Sequence, residues 1–263
     1  QELGRLDEAE KYFNQAIILE PHYIEAFKNL GNTFKDKGNL DKAIIAYNKA
    51  ISINPDDAES HYNIGVTLKL LGKLEEAIAS YTQAIELNPE YAEAHQNLSF
   101  VLLNSGRLRE GLNEYEWRWK KPEVLQQQRN FKQPLWNGKE NLNGKKILLW
   151  SEQGIGDTIM WSSRLSFLTS KADQCILECQ EKLVPLLKRS FPDIEVKSQN
   201  RNLDLERDDF DFHLPMGSLY KNLSTEIFQK TKVDAYLTPD PDRVDYWKKR
   251  LKTLGNGPFI GIN

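Results

Sequence analysis

A glycine-containing turn that carries a carboxylate lies near the middle of the chain. Gly154, Gly156 and Asp157 close the segment 151–157, which stands between an apolar run typical of a buried strand and one typical of a helix. Glycines let the backbone approach a ligand, and the N-terminus of a helix offers free N–H groups to an anion. We therefore expect a ligand-binding turn here. The alternative is that Asp157 only caps the helix that follows.

As a dinucleotide-binding fingerprint, the same turn is incomplete. Ile159 stands where a third small residue is needed, although Glu178 follows about 20 residues later, as a ribose ligand should. A carboxylate at Asp157 would also repel a pyrophosphate. A small nucleotide-binding domain is therefore a third interpretation of the chain, and it depends on the glycines alone.

One histidine and two cysteines are the other candidates for chemistry. His213 stands where a predicted strand ends and is expected to reach the same crevice as the turn, as a catalytic residue or as a packed one. Cys175 and Cys179 fall on one face of a predicted strand, which favours buried packing. Two cysteines build no disulfide framework and lack a second pair for zinc. We expect no metal site and a reducing, cytoplasmic location.

Three asparagines form a second kind of candidate site, because Asn29, Asn63 and Asn97 are each 34 residues apart. A carboxamide offers one donor group and one acceptor, so a ladder of them can pair the backbone of an extended peptide without reading its side chains. The alternative is that these asparagines merely cap or solvate a groove.

The elements that position the asparagines repeat with the same period. Glycines recur at 4, 38, 72 and 106, alanines at 9, 43 and 77, aromatic residues at 13, 47, 81 and 115, and prolines at 21, 55 and 89. This is the tetratricopeptide pattern. Complete units are predicted at 24–57 and 58–91, and a third begins at Ala92 and decays after Tyr115. Small Gly31 and Gly65 are expected to let paired helices approach closely.

The tetratricopeptide resemblance places the asparagines on the first helices, which line the concave face of such a stack. Their spacing resembles the asparagine ladder of O-linked N-acetylglucosamine transferases, which implies a protein or peptide partner in the groove. Lys28, Asn32 and Asn63 also match three positions of a carboxylate clamp. Glu93 and Asn97, however, stand where its later basic pair should be, so the pattern disfavours a clamp for C-terminal carboxylates.

The second half of the chain alternates strands with helices. Strands are predicted at 146–150, 175–179, 194–197 and 210–214, and helices at 158–168, 181–190 and 242–254. Such alternation predicts a parallel sheet with crossover helices. The predicted fold is therefore an α-solenoid of tetratricopeptide repeats followed by an α/β Rossmann-like domain. The ligand crevice of such a sheet lies at the carboxyl ends of its strands, where the 151–157 turn must sit.

The predicted boundaries are repeats over 1–121, a linker over 122–145, the Rossmann-like domain over 146–255 and the start of a second such domain over 256–263. The stretch 117–146 has a local charge of +6, from eight Lys+Arg and two Asp+Glu. Its interleaved aromatics could be stacking platforms for nucleic acid. We favour the interpretation that they anchor the linker to the next domain while its Lys and Arg stay solvated.

Charge and hydropathy exclude other classes of protein. The net charge is −3, and residues 1–110 carry 11 Lys+Arg against 17 Asp+Glu, a balance of −6. A general nucleic-acid binder needs a basic excess, so nucleic acid is not the expected partner. No apolar run reaches the roughly 18 residues that a membrane span needs.

The resemblance that covers most of the chain is to bacterial tetratricopeptide proteins fused to a glycosyltransferase. It is carried by Phe131-Lys-Gln-Pro-Leu-Trp136, by Glu152-Gln-Gly-Ile-Gly-Asp157 and by Leu177-Glu-Cys-Gln180. The catalytic part of those proteins is similar to heptosyltransferases, in which two Rossmann-like domains face each other across a cleft (the GT-B arrangement).

This resemblance implies roles for residues of the turn. Asp157 corresponds to the general base that deprotonates the acceptor hydroxyl, and His213 is a second catalytic candidate. Glu152, Gln153, Gly154 and Gly156 would contact the sugar acceptor. The donor would be a nucleotide sugar, and no other cofactor is implied.

The ends of the sequence suggest a fragment, because it starts within a repeat and Pro258–Asn263 starts a fresh strand. We expect it to supply the acceptor half of a transferase and to be inactive alone. The alternative is a non-enzymatic scaffold in which the repeats bind a peptide and the α/β domain only extends the platform.

Overall fold

The computed structural model describes residues 2–223, 235–253 and 255. The chain divides into two compact units, which we call the repeat unit (1–126) and the sheet unit (127–263). The strand predicted at 258–263 lies outside the described residues.

The repeat unit is built from helices that pair along the chain. Its helices are α1 (Glu2–Leu19), α2 (Ile24–Asp36), α3 (Leu40–Ile53), α4 (Ala58–Leu70), α5 (Leu74–Leu87), α6 (Ala92–Asn104), α7 (Leu108–Tyr115) and α8 (Pro122–Leu125), with a 3₁₀ helix at Glu116–Lys120 between the last two. The predicted starts of the repeats at 24, 58 and 92 are confirmed, since α2, α4 and α6 begin there. The expected decay after Tyr115 is also confirmed, because the α-helix ends at that residue.

A repeated turn joins the two helices of each repeat. Gly38, Gly72 and Gly106 have φ angles of +75°, +74° and +81°, a left-handed conformation that favours glycine. In the first of these turns, the Asn39 N–H donates to the Phe34 carbonyl at 2.8 Å and closes a Schellman motif. Gly4 shares the 34-residue spacing but lies inside α1, so at this position the repeat pattern does not mark a turn.

Close packing between helices explains the other small residues. A Cβ added at Gly31 would lie 2.4 Å from the Tyr47 ring, and one added at Gly65 would lie 2.7 Å from the Tyr81 ring. Both tyrosine rings are fully buried. The prediction that glycine permits close approach at these positions is confirmed.

The sheet unit contains a four-stranded parallel sheet with the order β3-β2-β1-β4. Its strands are β1 (Lys146–Trp150), β2 (Gln174–Cys179), β3 (Glu195–Ser198) and β4 (Phe212–Pro215). Its helices are α9 (Ile155–Ser162), α10 (Leu165–Thr169), α11 (Val184–Ser190), α12 (Leu219–Asn222) and α13 (Pro241–Lys252), with 3₁₀ turns at Glu181–Leu183, Arg201–Glu206 and Met216–Ser218. The parallel sheet is as predicted, but the single helix expected at 158–168 is divided into α9 and α10.

Residues 127–145 pack against the sheet, as the aromatic anchors suggested. Trp136 is buried, and its backbone N–H donates to the His213 carbonyl at 2.9 Å. Leu135 forms an isolated parallel bridge with His213. The expectation that the basic residues of 117–146 stay solvated is wrong for Arg118 and Arg129, which are only 2% and 4% exposed. Trp117 was also expected to anchor the linker to the next domain, but its ring stacks on His95 of α6 in the repeat unit.

Candidate functional site

The three asparagines occupy the same place on three successive first helices but differ in their contacts. Asn29 on α2 is exposed. Asn63 on α4 is only 7% exposed, yet its carboxamide has no hydrogen-bond partner among the described residues. Asn97 on α6 accepts a hydrogen bond from Lys69 Nζ at 2.7 Å and donates to the Tyr62 hydroxyl and the Glu93 carbonyl, both at 3.1 Å. The three asparagines are therefore not equivalent in their surroundings.

The preceding helix accounts for this difference. Lys69 and Tyr62 stand on α4, and their counterparts 34 residues earlier on α2 are Lys35 and Lys28. Lys35 donates to Asn32 at 3.3 Å, and Lys28 points to carboxylates. Neither bonds to Asn63, so its carboxamide is left without the partners that Asn97 has.

Lys28 is held by three carboxylates in an otherwise buried position. Its Nζ lies 2.7 Å from Glu25, 2.6 Å from Glu59 and 3.7 Å from Asp57. Burial would lower the pKa of Lys28, but its hydrogen bonds to Glu25 and Glu59 and the charge of Asp57 raise it above its ordinary value. The ammonium is therefore committed inside the repeat unit, which agrees with the sequence-based case against a carboxylate clamp.

Internal hydrogen bonds hold the glycine-containing turn after β1. Glu152 is 2% exposed, and its Oε1 accepts the Gly217 N–H at 2.9 Å. The Gln153 carbonyl accepts a hydrogen bond from Gln180 Nε2 at 2.6 Å, and Thr158 Oγ1 donates to Gln180 Oε1 at 3.1 Å. Glu152 thus fixes the turn to the segment that follows β4, whereas Gly154 and Gly156 are exposed.

Asp157 lies in the first turn of α9. Its Oδ2 accepts the Gly154 N–H at 3.2 Å, so the carboxylate caps the start of the helix. The capping that we gave as an alternative is therefore present. A Cβ added at Gly156 would meet no atom within 4 Å outside its chain neighbours and the backbone of its own helix, so Gly156 lies at an open surface.

His213 is placed inside β4, where it pairs with Leu148 of β1, rather than beyond the end of the strand. It is 8% exposed, and its Nδ1 accepts a hydrogen bond from Trp150 Nε1 at 3.3 Å. The Phe131 ring lies 4.8 Å from the imidazole. Burial, together with the charge of Arg129, lowers the pKa of His213 to about 4. It is therefore a neutral, packed residue at neutral pH.

A buried charge cluster that the sequence did not reveal lies beside β2. Arg129 Nε donates to Asp204 Oδ2 at 2.9 Å, and its other guanidinium nitrogens donate to Asp204 Oδ1 and Glu178 Oε2. Glu178 also accepts from Arg207, which makes a two-pronged contact with Asp209 at 2.8 Å. Glu178 is therefore committed to arginines and is not free for a ribose.

One signal in the sequence could have pointed to this cluster. Glu178 stands in the apolar strand Gln174–Cys179, and a carboxylate there must be paired when the strand is buried. The sequence offers many cations for that pairing and does not say which one folds onto the strand.

Neither a membrane-spanning helix nor a metal-binding cluster is present among the described residues. No helix there is both long and apolar enough to cross a bilayer. Within the same residues, no group of three or more His, Cys, Asp or Glu side chains is arranged to hold a metal ion.

Comparisons with known proteins match the repeat unit. Tetratricopeptide repeat profiles match residues 1–23, 31–72, 58–91 and 80–113. Protein FlbA of Caulobacter vibrioides is 31% identical over 142 residues, which is 48% of this chain and 24% of FlbA. The chain thus spans about a quarter of the length of this relative.

Solved structures are also similar to nearly half of the chain. A crystal structure of MamA is 27% identical and covers 48% of this chain and 74% of its own, with a TM-score of 0.43. MamA from Desulfovibrio magneticus RS-1 is 21% identical over 46% of this chain and 71% of its own, with a TM-score of 0.42. YrrB, a TPR protein with an unusual peptide-binding site, is 23% identical over 47% of this chain and 63% of its own, with a TM-score of 0.41. The period, the helix pairs and the matching profiles together establish that the N-terminal part of this chain carries tetratricopeptide repeats.

Proposed function

We propose that the repeat unit binds an extended segment of another protein along α2, α4 and α6. The observation that carries this proposal is Asn63, a largely buried residue whose carboxamide has no hydrogen-bond partner among the described residues. The Asn63 amide atoms are not among the buried side-chain atoms that lack a partner, so they reach solvent and are available to a ligand. The N–H and C=O groups of an extended peptide would complete the carboxamide.

The contacts of the three asparagines rank their expected contributions. Asn97 is engaged with Lys69, Tyr62 and the Glu93 carbonyl, so less of its carboxamide is left for a ligand. Asn29 is exposed and loses little when it is unpaired. We expect Asn63→Ala to weaken binding more than Asn29→Ala or Asn97→Ala does.

The test uses peptides selected from a random library on the immobilised wild-type protein. Their dissociation constants are then measured calorimetrically for wild type, Asn63→Ala and Asn48→Ala. Asn48 lies exposed on the second helix α3 and is the matched control. Loss of one backbone hydrogen bond should weaken binding by about three- to tenfold in Asn63→Ala alone. Equal affinities for all three proteins would contradict the proposal.

A second proposal concerns the sheet unit. We propose that it is a Rossmann-like domain forming the acceptor side of a sugar-transfer site, with a nucleotide sugar as donor. The specific support is the turn after β1, in which Gly154 and Gly156 are exposed and the Asp157 carboxylate stands at the start of α9. Parallel sheets of this kind bind ligands in the crevice outside the carboxyl ends of their strands. The alternative is a non-enzymatic scaffold, in which the repeat unit binds a peptide and the sheet unit forms no sugar-transfer site.

Asp157 separates the catalytic role from the capping role. If it is the general base, Asp157→Asn in the whole protein should slow sugar transfer by roughly 10²–10⁴-fold and leave the melting temperature nearly unchanged. A cap alone predicts near-normal turnover for Asp157→Asn and a loss of at most about 2 kcal/mol of stability for Asp157→Ala. Transfer from a panel of nucleotide sugars is measured beside the exposed control Asp193→Asn. Wild-type turnover in Asp157→Asn would reduce Asp157 to a cap.

We also propose a cellular location for the protein, which is based on its two cysteines. Cys175 and Cys179 are buried free thiols, as their strand positions predicted. They are compatible with the reducing, cytoplasmic environment that we propose.

A further inference from the structure

Helix α13 (Pro241–Lys252) of the sheet unit contains no buried residue. Tyr246 and Trp247 on this helix are 57% and 47% exposed, and their rings meet edge to face with centroids 5.4 Å apart. Large aromatic side chains are mostly covered in folded proteins. The helix therefore leaves an aromatic surface open to solvent.

The charge of α13 is strongly positive in a chain whose net charge is −3. The helix has a balance of +3, from two carboxylates and the five cations Arg243, Lys248, Lys249, Arg250 and Lys252. All five cations are exposed, and none forms an ion pair with a described carboxylate. Cations in the last turn also stabilise the helix dipole. The dipole does not account for Arg243 in the first turn or for the exposed Trp247.

Apolar and charged residues occupy different sides of α13. Val244, Trp247 and Leu251 are spaced i, i+3 and i+7, so they form one stripe, which we call the apolar stripe. Trp247 is its most exposed member. With about 3.6 residues per turn, Lys248 flanks the stripe on one side and Arg243 flanks it on the other. Both acidic residues of the helix lie on the opposite side.

This arrangement favours an anionic membrane surface as the partner. The apolar side of such a helix enters the boundary between headgroups and acyl chains, and its flanking cations reach the lipid headgroups. Binding of single-stranded nucleic acid would instead place aromatic rings and cations together on one face. Trp247 shares its face with Val244 and Leu251. At twelve residues, α13 is shorter than the roughly 20 needed to cross a bilayer, so it would lie in the plane of the surface.

We propose that α13 docks on the surface of an anionic lipid bilayer. The apolar stripe enters the headgroup region, and the exposed cations of the helix pair with anionic headgroups. The charges are complementary, because the acidic residues of α13 face away from the bilayer in this orientation. This inference does not depend on the peptide-binding or sugar-transfer proposals, since it uses no residue of either site.

The test is flotation of the protein with vesicles of phosphatidylcholine, either alone or with about 30% phosphatidylserine. The protein should float with the anionic vesicles at low salt and not with the neutral ones. High salt should release it, because salt screens the attraction between the cations and the headgroups. A protein that does not float with anionic vesicles at low salt would overturn the proposal.

Neighbouring residues of α13 provide matched controls for the charge and for the ring. Lys248→Gln, beside the stripe, should lower the vesicle partition coefficient by about three- to fivefold, and Lys249→Gln, on the far side, by less than about twofold. Trp247→Ser should lower it by about three- to tenfold, whereas Tyr246→Ser, which lies away from the stripe, should leave it unchanged. All four variants should nearly keep the wild-type melting temperature, because no residue of α13 is buried.

Two outcomes with these variants would overturn the proposal. Equal losses for Lys248→Gln and Lys249→Gln, together with equal losses for Trp247→Ser and Tyr246→Ser, would indicate general charge attraction without a docked stripe. Binding of a single-stranded oligouridylate that is lost in Tyr246→Ser, without flotation on anionic vesicles, would assign the helix to nucleic acid instead.

Discussion

The repeat unit and the sheet unit bury charge in different ways. In the repeat unit, Lys28 pairs with Glu25 and Glu59, 3 and 31 residues away. In the sheet unit, Arg129 pairs with Glu178 and Asp204, 49 and 75 residues away. Each repeat position has a counterpart 34 residues along the chain, so a departure from the pattern stands out. The sheet unit has no such internal reference, and its buried charges become visible only in the folded chain.

The largest expected effect tests the long-range pairing in the sheet unit. Arg129→Met keeps much of the side-chain volume but leaves Glu178 and Asp204 buried without their main cation. Removing one partner of a buried ion pair typically costs about 3–5 kcal/mol. Urea unfolding followed by tryptophan fluorescence reports mainly on this unit, which contains Trp136, Trp150 and Trp161.

The control for this experiment is Lys132→Met, at an exposed position three residues away. A loss below about 1 kcal/mol in Arg129→Met, or an equal loss in the control, would show that the cluster does not hold the sheet unit together.

The next effect concerns the buried histidine of the same unit. Burial lowers the pKa of His213 from 6.5 to about 4, so the unfolded chain binds more protons than the folded one between these values. Stability should therefore fall as the pH falls, by about 2 kcal/mol between pH 7 and pH 5. The same measurement on His213→Gln should lack this part of the slope, whereas the exposed His22→Gln should retain it. Parallel pH profiles for all three proteins would contradict the burial of a neutral imidazole.

A pair of glycine substitutions tests the repeat unit. Gly65→Ala places a Cβ 2.7 Å from the buried Tyr81 ring, and overpacking of this kind costs about 1–3 kcal/mol. Gly4→Ala meets no atom within 4 Å inside α1 and should stabilise that helix by about 0.5–1 kcal/mol. Thermal unfolding followed by circular dichroism measures both. The same sign for the two variants would contradict the packing described here.

The smallest expected effect is the difference in stability between variants of Asn63 and Asn97. Asn97→Ala removes hydrogen bonds to Lys69, Tyr62 and the Glu93 carbonyl, whereas Asn63→Ala removes none to a described residue. Both variants gain the same helix propensity, so their difference isolates the hydrogen bonds. We expect Asn97→Ala to be less stable than Asn63→Ala by about 1 kcal/mol in the absence of ligand. Equal stabilities would mean that the Asn97 contacts contribute nothing.

The period of the repeats predicted the starts of α2, α4 and α6 to the residue, but it failed at Gly4, which lies inside α1. The glycines, alanines and aromatics of the repeat unit are spaced by packing between neighbouring helices. The apolar run also predicted β1 with the bounds that the structure shows, Lys146–Trp150. The break between α9 and α10 was missed, because an apolar run does not show where a helix bends.

The contacts of individual side chains in the candidate site could not be predicted from the sequence. The sequence showed three equal asparagines, but their differences arise from Lys28, Lys35, Tyr62 and Lys69 on the preceding helices. Arg129 was expected in solvent because nothing local marks which cation of a basic linker will meet Glu178. These contacts depend on pairing between distant segments, which spacing alone does not specify.

The central claim is that the first helices of the repeat unit bind an extended segment of another protein. Photo-crosslinking tests it directly, with p-benzoylphenylalanine placed at Phe100 on α6 or at Ile45 on the second helix α3. Both positions are exposed, at 44% and 62%. A library-selected peptide should crosslink at position 100 and not at position 45, and unlabelled peptide should suppress the product. Crosslinking at position 45 alone, or equally at both, would contradict the account.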